Sequence, residues 1–84
     1  MYCLEMPLRI AKRNNGQGIV TFPKSNYRFE VNQNVIELFE YLKDENGFED
    51  SVIDEYTYSK NIMNTEDYRR IYEQLKTFGL VRKA

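Results

Sequence analysis

Tyr27-Arg28-Phe29-Glu30-Val31-Asn32-Gln33-Asn34-Val35-Ile36-Glu37-Leu38-Phe39 changes its hydrophobic period half-way along. Tyr27, Phe29 and Val31 alternate with Arg28 and Glu30, which puts the apolar side chains on one face of a strand. From Val35 the spacing becomes i, i+3, i+4 and i+7 through Leu38, Phe39 and Leu42, one face of a helix. Asn32 or Asn34, at the change of period, can cap the helix by accepting a hydrogen bond from a backbone N–H of its first turn. A strand feeds a helix with almost no loop between them, so the chain is of the α+β class.

Upstream, Leu4, Met6, Leu8 and Ile10 alternate with Glu5, Pro7, Arg9 and Ala11, the pattern of a half-buried strand. Pro7 lacks a backbone donor, so this strand belongs at an edge or begins after it. Asn14-Asn15-Gly16-Gln17-Gly18 and Pro23-Lys24-Ser25-Asn26 are turns, because Asn and Gly accept positive φ at little cost. The β-rich run from Ile19 to Phe22 lies between them. The first third thus reads as a three-stranded antiparallel meander.

Downstream, Asn46-Gly47 is expected to end the first helix in the left-handed conformation. A second helix is expected from about Glu49 to Tyr58, with Val52, Ile53 and Tyr56 inward and acids favourably placed in its first turn. Lys60 to Asn64 is a connection. Asn64 or Thr65 caps a third helix with Tyr68, Ile71, Tyr72, Leu75 and Phe78 as its stripe; Gly79 stops it, and Leu80-Val81 pack back. The expected order is strand, strand, strand, helix, helix, helix: a three-stranded antiparallel sheet and a three-helix, winged-helix-like cluster sharing one core over residues 1–84 as a single domain.

Composition narrows the function. The chain has 84 residues, of which 14% are aromatic, enough apolar area for one small folded domain. It has no histidine and one cysteine, Cys3, so the common general bases, nucleophile pairs and zinc sets are absent. With no Gly-rich phosphate loop either, no enzyme activity and no cofactor are expected. A lone cysteine and the lack of a signal-like or membrane-spanning run fit a cytoplasmic protein without a membrane partner.

Charge is segregated behind a net value of −1. Residues 1–28 carry five cations against one acid, residues 29–67 two against eleven, and residues 68–84 five against one. Such blocks describe either two solvated faces or basic ends that meet around an acidic partner. The carboxylates Glu37, Glu40, Asp44 and Glu45 are most simply a solvated helix face. Tyrosines at helical spacing are usually core, although Tyr also suits interfaces that are apolar at one end and wet at the other.

The run from Tyr27 to Phe39 resembles the signature of PqqD-like proteins, the recognition elements that bind leader peptides in the biosynthesis of ribosomal peptide natural products. The family pattern is a strand leading into an Asn that starts a helix with paired apolar residues, then a polar turn, a second helix, and a third helix ending in Gly-Leu. Here the corresponding pieces are Asp44 to Gly47, the stretch around Val52-Ile53, and Gly79-Leu80-Val81. Val31 stands where the family usually has Leu, and the polar turn is longer than the family's.

The resemblance implies a non-catalytic adaptor. A precursor's leader would add as a strand beside Tyr27, Arg28, Phe29, Glu30 and Val31 and lie against the third helix, for presentation to a peptide-maturation enzyme. At about 100° per residue, Arg69, Tyr72 and Lys76 form one flank of that helix and Arg70, Gln74 and Phe78 the other. The first flank, with Tyr68, is the expected peptide wall, because it joins an aromatic to two cations. An edge strand can also pair with its own copy, giving a homodimer. The competing readings are a winged-helix DNA-binding regulator using Arg69, Arg70 and Lys76 on phosphates, and a plain assembly domain. The acid-rich second helix speaks against nucleic acid.

Overall fold

The chain forms β1 (Tyr2–Leu4), β2 (Arg9–Lys12), β3 (Gln17–Phe22), β4 (Tyr27–Asn32), α1 (Gln33–Asp44), α2 (Val52–Ser59), α3 (Thr65–Thr77) and β5 (Val81–Lys83). The computed structural model describes all 84 residues. They group into two compact units, Glu5–Asp44 and Met1–Leu4 with Glu45–Ala84. The fold is α+β, with a three-stranded antiparallel sheet, three helices and a second, two-stranded sheet. No helix is long and apolar enough to cross a membrane.

In Glu5–Asp44 the sheet has the order β2-β3-β4, so β3 is central and β4 is an edge. The register aligns Ile10, Val20 and Phe29 in one cross-strand row and Lys12, Gly18 and Val31 in the next. This is the face that α1 covers: Val20 and Phe22 have no exposed surface, nor do Ile36, Leu38 and Leu42 of α1. Gly18 is what lets the helix come close, for a methyl there would collide with Ile36 Cδ1 and lie 2.9 Å from the Ala11 carbonyl oxygen. Rings of Phe39, Phe22 and Phe29 then follow edge to face, with centroids 6.1 and 6.3 Å apart. Of the expected α1 stripe, Leu38, Phe39 and Leu42 are buried and Val35 is half-buried, and Ile36 joins them in the core. Asn32 caps α1 as expected, accepting a 3.0 Å hydrogen bond from Val35 N–H.

The first expected strand is corrected only in the part before Pro7. Its apolar alternation breaks at Met6, which is 45% exposed, and residues 5–8 belong to no strand. The segment after Pro7 pairs with β3 as β2, whereas Tyr2–Leu4 pairs antiparallel with β5. Of the two outcomes that the missing N–H of Pro7 left open, the strand begins after it, at Arg9, and it also lies at a sheet edge. The order is therefore not three strands and three helices alone, since β1 precedes them in the chain and β5 comes after.

In the second unit α2 and α3 end alike. Gly79, at φ +76°, sends its N–H to Lys76 C=O while Leu80 N–H reaches Leu75 C=O. Asn61, at φ +57°, does the same with Tyr58, and Ile62 with Thr57. Both ends satisfy carbonyls that the helix leaves open, one with the expected Gly and one with an Asn inside the connection. Gly47 is not left-handed, and neither is Asn46. A Cβ at Gly47 would meet only the side chain of Met1, which is 69% exposed and can move aside. The second helix starts at Val52 rather than Glu49, so Asp50 precedes it. Asn64 occupies the N-cap of α3, but its amide donates to Asp67 at 2.8 Å and caps no backbone N–H.

Gly18→Ala is expected to lower stability by about 1–3 kcal/mol through overpacking. In urea denaturation Ile36→Val, which removes the clashing methyl, should recover part of that loss in the double variant. A Gly18→Ala protein as stable as the parent would contradict this seating of α1 on the sheet.

Candidate functional site

The residues expected to bind a partner fall in both units. Tyr27, Arg28, Phe29, Glu30 and Val31 are all on β4, in Glu5–Asp44; Tyr68, Arg69, Tyr72 and Lys76 are all on α3, in the other unit.

On β4 the alternation read from sequence holds residue by residue. Tyr27, Phe29 and Val31 are half-buried, and Arg28, Glu30 and Asn32 are exposed. The Tyr27 and Phe29 rings stack at 5.9 Å, nearly parallel at 5°. Phe29 in turn meets the buried ring of Phe22, so the edge strand is tied to the core through an aromatic column. On the opposite, open face, Arg28 completes a row with Thr21 and Arg9, and Glu30 completes a row with Ile19 and Ala11. Arg9 and Ala11 are exposed as well. Sequence reading picked out Arg28 and Glu30 but missed Arg9, because only the β2–β3 register sets it two strands from Arg28.

On α3 the chosen flank is occupied by this chain's own acids. Arg69 pairs with Asp54 of α2. The Tyr72 hydroxyl donates to Asp50 Oδ1 at 2.9 Å, and Lys76 Nζ donates to both oxygens of Asp50, at 3.2 and 3.4 Å. The Lys76 ammonium also stands 4.7 Å above the centre of the Tyr2 ring on β1. Tyr72 has no exposed surface at all, so it is a core residue and not a surface anchor. Tyr68 is half-buried against the Tyr56 ring, with centroids 6.1 Å apart. Asp50, the hub of this network, went unnoticed in sequence because its partners lie 22 and 26 residues away, beyond any local spacing rule.

The titration behaviour follows from the contacts. The Tyr72 hydrogen bond, and then Lys76, hold the Asp50 carboxyl below its ordinary value. Burial, reinforced by the hydrogen bond to Asp50, pushes the Tyr72 phenol well above its ordinary value. Lys76 is raised by its hydrogen bond to Asp50. The arrangement is an ion pair with a buried phenol donor. It pins β1, α3 and the turn before α2 together.

Comparison with family models, curated proteins and solved structures returns no match to this chain.

Two variants separate packing from polarity at Tyr72. Tyr72→Ala should cost about 3–5 kcal/mol by opening a cavity, whereas Tyr72→Phe keeps the ring and should cost clearly less. The lowered Asp50 contributes stability that is complete above pH 3.8 and is lost as pH falls through its folded value. The raised Tyr72 contributes stability that is complete below pH 10.0 and is lost as pH rises beyond it. Urea midpoints measured across pH should therefore fall at both ends, and Tyr72→Phe should flatten the alkaline fall. Identical profiles for Tyr72→Phe and the parent would contradict the network.

Proposed function

We propose that this chain is a PqqD-like, non-catalytic adaptor that binds the leader of a ribosomally made precursor peptide by strand addition to β4, and presents that precursor to a maturation enzyme. The observation that carries this reading is the sheet order, in which β4 lies at the end with a strand neighbour on one side only. An extended peptide laid along such an edge gains main-chain hydrogen bonds whatever its sequence, and alternate side chains give selectivity. The aromatic column behind β4 supports the same reading, because an edge held rigid loses little conformational entropy on binding. Asn32 supports it as well: it closes β4 and caps α1, as the Asn of the PqqD-like signature would. Tethering a substrate in this way raises its effective concentration at a partner enzyme without chemistry by the adaptor.

A duplex-reading role for α3 is less well supported. Arg69, Arg70 and Lys76 each sit against a carboxylate, those of Asp54, Asp67 and Asp50. Phosphates would have to displace those partners before any counterion release could favour binding.

The test is a nitrogen–proton NMR titration with the leader of a small precursor encoded beside this gene. Saturable shifts concentrated on Tyr27–Asn32 are expected. A leader N-methylated at the alternate positions that donate to β4 should lose binding, while methylation of the intervening positions should be tolerated. An absence of shifts on β4, together with salt-sensitive shifts of Arg69, Arg70 and Lys76 on adding duplex DNA, would replace the adaptor reading with the DNA-binding one.

A further inference from the structure

The register of the sheet says more about the peptide than that it is extended. A strand added beside β4 would continue the two open-face rows, one running Arg9, Thr21, Arg28 and the other Ala11, Ile19, Glu30. Neighbouring strands lie about 4.8 Å apart, and side chains directly across from one another have Cβ atoms about 4.5–5.5 Å apart. One peptide side chain would therefore stand across from Arg28, and the side chain two residues away across from Glu30. The intervening side chains would point to the other face, beside half-buried Tyr27, Phe29 and Val31.

We infer that the β4 edge selects an extended peptide with one acidic and one basic residue two apart on its open side, and apolar residues alternating with them on the other. This rests on the strand-addition reading of β4. Opposite charges directly across a strand pair are favourable and like charges unfavourable, and Arg28 and Glu30 are both exposed, at adjacent same-face positions. An all-acidic strand would place a carboxylate against Glu30, and an all-basic one would place an ammonium against Arg28. Arg9, in the Arg28 row, adds positive charge on the same side and strengthens the demand for an acid there. The apolar requirement has a separate origin. The aromatic side of β4 is only half-covered, and a peptide side chain laid beside Phe29 and Val31 removes further apolar area from water.

Orientation follows from the order of the two charges. A parallel peptide meets Arg28 before Glu30 and so needs its acid first. An antiparallel peptide needs its base first. Either order satisfies the two charges of β4, but neither like-sign peptide does.

Four capped peptides test this on the full chain at low ionic strength, where exposed pairs are least screened. They share Gly-Ser flanks and differ in the centre: Val-Glu-Val-Lys-Val, Val-Lys-Val-Glu-Val, Val-Glu-Val-Glu-Val and Val-Lys-Val-Lys-Val. At least one mixed-sign peptide is expected to bind about fivefold more tightly than both like-sign peptides, with amide shifts on β4. Arg28→Glu should move the preference to the doubly basic peptide, and Glu30→Arg to the doubly acidic one. Like-sign peptides that match the mixed ones in the parent, or an order of affinities unchanged by both variants, would overturn the charge rule while leaving strand addition intact. Failure of all four peptides to shift any β4 amide would overturn strand addition and the charge rule together.

Discussion

The pairing of β3 with strands on both sides is the constraint on which the unit Glu5–Asp44 depends. Because side chains alternate along a strand, that one register divides every residue of β2, β3 and β4 between a face for α1 and a face for solvent. A slip of one residue would expose Val20 and Phe22 and turn Arg28 and Glu30 inward. Gly18 fixes the slip-free position from the other side, since only a residue without Cβ can sit under Ile36. The sheet order makes β4 an edge, and the register sends its charged side chains outward. Packing and the proposed binding surface are two consequences of a single alignment.

Much of this was legible in the sequence, and the reasons are local. The change of period at Asn32 gives β4 and α1 directly, because both elements bury one face and each pattern is complete within a dozen residues. Gly79 ends α3 where left-handed backbone is needed. What escaped is non-local. The β1–β5 sheet joins three-residue strands from the two ends of the described chain, and neither is long enough to show a period. Asn61 does the work of a C-terminal glycine inside what reads as an ordinary connection, and Gly47 reads as a helix stop although it does not take the left-handed conformation.

The candidate site divides along the same line. The five β4 residues are placed as their alternation implied, since strand faces follow from spacing alone. On α3 spacing correctly put Arg69, Tyr72 and Lys76 along one side of the helix, but it could not reveal that Asp50 and Asp54 arrive there from the turn before α2 and from α2 itself. Charge blocks counted along a chain do not report which charges neutralise one another. The basic third block is largely engaged within its own unit, whereas Arg9 and Arg28 stand on the exposed face of the sheet. The proposed function therefore rests on the strand rather than on the helix.

The central claim is that β4, the last strand in the sheet order, stands in strand geometry and can accept a further strand before any partner arrives. Amide hydrogen exchange on the protein alone tests it most directly. One alternate set of β4 amides, bonded to β3, should be protected like the β3 amides themselves, while the other set exchanges rapidly. Uniform strong protection along Tyr27–Asn32 would mean that the edge is already covered, and uniform fast exchange that the strand is not formed; either result contradicts the account.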